Sequence, residues 1–123
     1  GAIALSSRVV PIAGFDPRSQ QFTEWPLPAD ANPHGLLVDA QGIVWYTGNG
    51  NGTIGRLDPN SGKVSEFHTP SGGDPHTIVL DGQGDLWFKF KSEPWLIQLQ
   101  PFHSGVFEFS KKCFIQRKQF CKF

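Results

Sequence analysis

The sequence repeats itself every 42 residues. Pro33-His34 returns as Pro75-His76, Trp45 as Trp87, and Glu66-Phe67 as Glu108-Phe109. Laid without a gap, residues 32–67 and 74–109 share 11 identities in 36 positions, where unrelated sequence gives about two. Most other apolar positions swap conservatively, as Leu36 with Ile78, Val44 with Leu86, Tyr46 with Phe88 and Ile54 with Leu96. The same offset reaches backwards. Ile12, Asp16, Pro17, Ser19, Glu24 and Pro28 match Ile54, Asp58, Pro59, Ser61, Glu66 and Pro70. A repeat of this period requires one structural unit used several times, each burying its apolar face against the next.

The unit reads as four short strands. In the second copy they fall at about 35–40, 43–48, 53–58 and 63–69, and in the third at about 76–81, 85–90, 95–100 and 105–110. These runs are rich in Val, Ile, Leu and aromatic residues, at ordinary strand length. The connections Asp39-Ala-Gln-Gly42, Gly48-Asn-Gly-Asn-Gly52 and Asp58-Pro-Asn-Ser-Gly62 are turn sequences. Asn and Gly tolerate positive φ, and Pro presets the first corner of a turn. Four antiparallel strands at this period predict the blades of an all-β protein, a β-propeller. Residues 1–31 hold part of a first blade and a linker, 32–73 a second blade, 74–110 a third, and 111–123 a basic tail outside the repeat. Closed propellers use about four to eight blades. About two and a half blades leave apolar faces open, so the chain is expected to be a piece of a longer ring or to associate with its own copies.

Charge removes several function classes. Eleven Lys/Arg balance eleven Asp/Glu. A nucleic-acid or membrane-surface binder needs a cationic excess, and no apolar run approaches the roughly 18 residues of a membrane span. All eleven acidic side chains precede residue 111, while Lys111, Lys112, Arg117, Lys118 and Lys122 crowd the last stretch. Cys113 and Cys121 lie there too, so the blades contain neither a disulfide framework nor a thiol metal site.

Across residues 8–109, several elements together resemble the virginiamycin B lyase (streptogramin B lyase) family. They are Asn32-Pro33-His34-Gly35, Trp45-Tyr46-Thr47, the run from Ile54 to Phe67, Asp74-Pro75-His76-Thr77, and Leu86-Trp87-Phe88. The resemblance implies a seven-bladed propeller and Mg²⁺-dependent elimination that opens the ester bond of a cyclic depsipeptide antibiotic, a route to antibiotic resistance. Carried over by motif, His76 is the acid/base, Asp74 the carboxylate on the metal side, and His34 a substrate contact. The fourteenth residue after the acid/base His is a Glu in that family. Here it is Phe90, and the fourteenth after His34 is Gly48. The implied partner is a small-molecule ligand at the mouth of the central channel, and a fragment of the ring is expected to be inactive alone.

The physical reading of the same positions is independent of that resemblance. Equal places in successive blades lie at similar radius, so His34 and His76 are expected to converge near the channel mouth. A histidine there can take and return a proton near neutral pH, and Mg²⁺ takes oxygen ligands. A repeated Pro-His also serves a purely structural end if its ring N–H ties the linker to backbone. Two further readings stay open: a non-catalytic propeller that binds a ligand or protein, and a gluconolactonase-like metal hydrolase. Trp45 and Trp87 read as packing anchors between blades. Asp39 and Asp81 read as turn residues, Glu24, Glu66 and Glu108 as solvated outer positions, and His68 and His103 as surface. Arg56 stands where the next blade has Gln98, which argues against a shared structural role and leaves ligand contact open.

Overall fold

The computed structural model describes residues 10–69, 73–91, 95–101, 107–115 and 119–122. Its strands are β1 (Ile12–Asp16), β2 (Gln21–Trp25), β3 (Pro33–Val38), β4 (Val44–Gly48), β5 (Thr53–Leu57), β6 (Val64–His68), β7 (Pro75–Leu80), β8 (Leu86–Phe90), β9 (Trp95–Pro101), β10 (Phe107–Ile115) and β11 (Gln119–Lys122). They form three antiparallel sheets, ordered β1-β2, β3-β4-β5-β6 and β11-β10-β9-β8-β7. No helix long and apolar enough to cross a membrane occurs among the described residues.

The middle sheet is one complete copy of the repeat. Its turns are built as the sequence requires: the Asp39 side chain accepts from the N–H groups of Gln41 and Ile43, and Asp81 does the same for Gln83 and Asp85. These Asx turns let a carboxylate satisfy backbone donors that the hairpin leaves free. β1 and β2 match the third and fourth strands of the repeat. The last sheet departs from it. β10 runs on to Ile115, and β11 adds a fifth strand with Cys113 opposite Cys121. Residues 111–115 and 119–122 are thus paired backbone, where the repeat calls for a linker.

Alternation sorts each strand between two neighbours. In the second blade, Val44, Tyr46 and Leu57 join Ile12, Leu27 and Ala31 in a core shared with the first blade, with Trp25 and Val64 packed on it. The opposite face gives Trp45 and Ile54 to a second core with Ile78, Leu86, Phe88, Phe90, Ile97 and Leu99 of the third blade. The middle sheet is therefore wedged between two others, as a propeller blade is. β3 and β7 lie against each other, and β7 also touches β4.

Gly55 shows how one position in the repeat is spent differently in each blade. A Cβ on Gly55 would overlap the phenol ring of Tyr46. The bare glycine lets that ring lie flat across β5, directly opposite its own strand partner. In the third blade, Ile97 and Phe88 divide the same space without a glycine.

Candidate functional site

His34 and His76 sit near the starts of β3 and β7, the two adjoining strands. Their imidazoles meet, with ring centroids 3.6 Å apart and planes tilted by 33°. His34 is exposed and His76 half-buried. The expected convergence of equal positions in successive blades is therefore present.

Each histidine stands at an irregularity in its strand. Register shifts between Pro33 and Leu36, and again between Pro75 and Thr77. A bulge of this kind bends the strand and re-aims a side chain. The linker entering β3 contributes a second turn: Asp30 and Asn32 adopt left-handed φ values of 65° and 42°, which Asn and Asp tolerate better than other side chains. The β4–β5 loop braces that linker through Asn49 N–H to the Asn32 carbonyl and Gly50 N–H to the Ala31 carbonyl. One blade later, Lys91 N–H repeats the first contact on the Asp74 carbonyl.

A buried hydroxyl joins the two strand starts. Thr47 Oγ1 accepts a hydrogen bond from Gly35 N–H at 2.7 Å and donates to the His76 carbonyl at 2.9 Å. Asn49 Nδ2 donates to the Pro75 carbonyl at 3.3 Å. The approach is close enough that a Cβ on Gly35 would stand 2.6 Å from the His76 carbonyl oxygen. Thr47, Asn49 and Gly35 are thus the residues that fix the spacing of the histidines. The structural alternative for Pro-His, a ring N–H bonded to backbone, does not occur among the described residues. The hydrogen bond described for the His76 ring runs between Nδ1 and the Thr77 hydroxyl, 3.3 Å apart.

Asp74 lies two residues before His76, half-buried at the entry to β7. Among the described residues, no three His, Cys, Asp or Glu side chains gather into a group able to hold a metal ion. Phe90, at the family's Glu position, is buried at 1% exposure in the core between the second and third blades. Magnesium takes about six oxygen ligands. Two imidazoles and one carboxylate do not fit it by themselves, and no step below is routed through a metal.

Two expectations for other residues change. Glu66 is not a solvated outer residue. It is half-buried, and its Oε2 accepts from Asn51 Nδ2 and from Thr53 Oγ1, both at 2.8 Å. Asp39 and Asp81 do more than close turns: Asp39 Oδ2 accepts from Trp45 Nε1 at 2.9 Å, and Asp81 Oδ2 from Trp87 Nε1 at 2.8 Å. The Asp81 carboxyl is held below its ordinary acid range, chiefly by that indole donor and then by Asp85 N–H. An Asp six residues before a Trp, present in both blades, was the signal that could have revealed this pairing. Glu24 and His68 are exposed as expected, while His103 and the Glu108 side chain lie outside the described residues.

The blades and their shared cores define a partial β-propeller. No protein-family model matches the sequence, and no curated protein matches it. Solved structures do. A catalytically inactive variant of virginiamycin B lyase from Staphylococcus aureus, with quinupristin, superimposes with a TM-score of 0.72 at 24% identity, over 86% of this chain and 35% of that one. Selenomethionine-substituted virginiamycin B lyase from Staphylococcus aureus gives 0.68 at 27% identity, over 80% of this chain and 33% of that one. A streptogramin B lyase structure gives 0.69 at 28% identity, with the same coverage. The chain resembles these lyases in fold and spans about a third of their length.

Proposed function

We propose that this chain forms part of a streptogramin-lyase-like propeller, with the His34–His76 pair acting on a cyclic depsipeptide at the channel mouth. The observation that carries the reading is the contact between the two imidazoles, 3.6 Å apart on adjoining inner strands. In elimination, a base takes the proton from the carbon β to the ester oxygen. The C–H electron pair becomes the new double bond, and the C–O pair leaves with the carboxylate. His76 is the base: in the tautomer with Nδ1–H donating to Thr77, its Nε2 lone pair is available. His34, more exposed and with its ring tilted against it, contacts the substrate. Asp74, half-buried two residues before His76, would be the carboxylate on the metal side by the resemblance alone. The oxygen ligands for magnesium would have to come from beyond the described residues.

Phe90 in place of a carboxylate favours a second reading, in which the propeller binds its ligand without turning it over. One experiment separates the two. The chain is titrated with quinupristin while the imidazole resonances are followed by NMR, and the complete ring that contains it is assayed for product by mass spectrometry with added Mg²⁺. The lyase reading expects shifts at His34 and His76 in the chain and, from the complete ring, a linear product of unchanged mass that disappears in His76→Ala. Binding without product leaves the non-catalytic reading standing. A product heavier by one water indicates hydrolysis and overturns the elimination chemistry. No imidazole shift removes the site altogether.

A further inference from the structure

A cavity of about 290 Å³ opens between the second and third blades, at the other end of β3 and β7 from the histidines. At about 3.3 Å per strand residue, its edge at Asp39 lies roughly 15 Å from His34. It is separate from the site above, and nothing about it depends on the lyase reading. Its walls are Ile43, Leu80, Leu86 and the Trp45 indole, and Arg56 reaches into it.

Arg56 pairs with Trp45 across β4 and β5, so both side chains face the third blade. Among the described residues, no hydrogen bond or ion pair engages the Arg56 guanidinium. The residue is half-buried and its guanidinium stays open to the cavity, so its donors are available to a ligand that enters there. The repeat shows what is missing. In the third blade the equivalent position is Gln98, whose Nε2 donates to Asp85 Oδ2 at 2.9 Å. In the second blade the place of Asp85 is taken by Ile43, so the donor remains and the acceptor has become a hydrocarbon. Asp39 also lines the cavity, but its carboxylate already accepts from Gln41 N–H, Ile43 N–H and Trp45 Nε1.

We propose that this cleft binds a small organic carboxylate with an apolar or aromatic body. The carboxylate takes the place that Asp85 fills in the next blade, bonded to the Arg56 fork, and the body lies among Trp45, Ile43, Leu80 and Leu86. A planar guanidinium is matched to a carboxylate in two-point contact. The cavity has room for a group the size of a phenyl ring and a short chain, and its apolar walls favour such a body over a bare inorganic anion.

The test is a titration of the isotopically labelled chain with 3-phenylpropionate, in parallel with its neutral amide. The indole N–H of Trp45 and the Nε–H of Arg56 should shift together with the acid. The amide should bind at least tenfold more weakly. Arg56→Gln, which copies the residue the repeat itself uses at Gln98, should weaken the acid at least tenfold and leave the rest of the spectrum in place. Equal binding of acid and amide overturns the proposal, as does unchanged affinity in a folded Arg56→Gln chain. So does an absence of shifts at these two groups at about 10 mM ligand, the millimolar range that even a weak site reaches. If the variant does not fold, the comparison of acid with amide on the unaltered chain decides.

Discussion

Thr47 donates a 2.9 Å hydrogen bond to the carbonyl of His76, in the neighbouring blade, while accepting one from Gly35 on its own. One hydroxyl, fully buried, therefore sets the distance between two strand starts and hence between two imidazoles. Thr47→Val keeps the shape and removes both bonds. It leaves the Gly35 N–H and the His76 carbonyl short of a partner, at a cost of about 1–3 kcal/mol. The expected result is a lower melting temperature together with loss of the NMR contact between the His34 and His76 rings. Thr47→Ser should restore most of both. A Val variant with full stability and an intact ring contact would show that packing alone aligns the histidines.

Asp81 offers a pH dependence whose sign follows from its hydrogen bonds. Its carboxyl is held low, first by the Trp87 indole N–H and then by Asp85 N–H, so the folded state favours the charged form. That stability is fully present above the ordinary Asp value of about 3.9 and is lost as pH falls through the lower folded value. Asp81→Asn should melt earlier than the parent chain at neutral pH. The gap between the two melting curves should narrow as pH drops below about 4. A gap of constant size across that range would rule out the charged carboxylate as its source.

Much of this architecture was readable from local pattern. Strand positions in the two repeats follow from alternation and turn residues, and most ends agree with the structure to within two residues. The meeting of His34 and His76 was also legible, because equal places in stacked units lie at equal radius. Apart from the indole bonds of Asp39 and Asp81, which recur in both blades, what escaped were features present in only one copy. Thr47 has Lys89 as its repeat partner, so comparison of the blades hid the tie it makes. Glu66 recurs as an outer residue, yet its bonds come from Asn51 and Thr53, which have no counterpart one blade on. The extension of β10 and the pairing of β11 fall beyond the repeat, where periodicity carries no information. The Arg56 cavity exists only between blades, and its unmet acceptor becomes visible only when Gln98 is seen holding Asp85.

Tyr46 is the single tyrosine of the chain, and its hydroxyl is buried without a hydrogen-bond partner among the described residues. Burial raises its phenol above the ordinary value, and the nearby Glu66 charge raises it further. The third blade has Phe88 in the same place, so the ring is needed and the oxygen is not. Tyr46→Phe should stabilise the fold by about 1 kcal/mol by removing an unmet desolvation cost. In the parent chain the folded state holds the phenol proton more tightly than the unfolded one, so stability should fall as pH rises above about 10. The Phe variant should lack that alkaline loss. Phenolate absorbance in the parent should therefore rise together with unfolding. Phenolate formation at the ordinary value in a still folded chain would contradict the burial argument.

Phe15 and Phe22 face each other across β1 and β2 with ring centroids 4.8 Å apart, and they are 53% and 73% exposed. Their repeat partners Leu57 and Val64 pack against the first blade. The two rings therefore occupy the face that a preceding blade covers in this architecture. At the far side of the third blade, Val79 is 51% exposed on the opposite face of the repeat. The two faces stand in the relation of one blade to the next, so copies of the chain should stack head to tail, a heterologous contact. Sedimentation equilibrium should show association that grows with concentration. Replacing Phe15 or Phe22 by Ser should weaken it by about tenfold or more, since burying one such ring is worth roughly 1.5–3 kcal/mol. A monomer at all concentrations, or association indifferent to both substitutions, would mean that these rings do not form the contact.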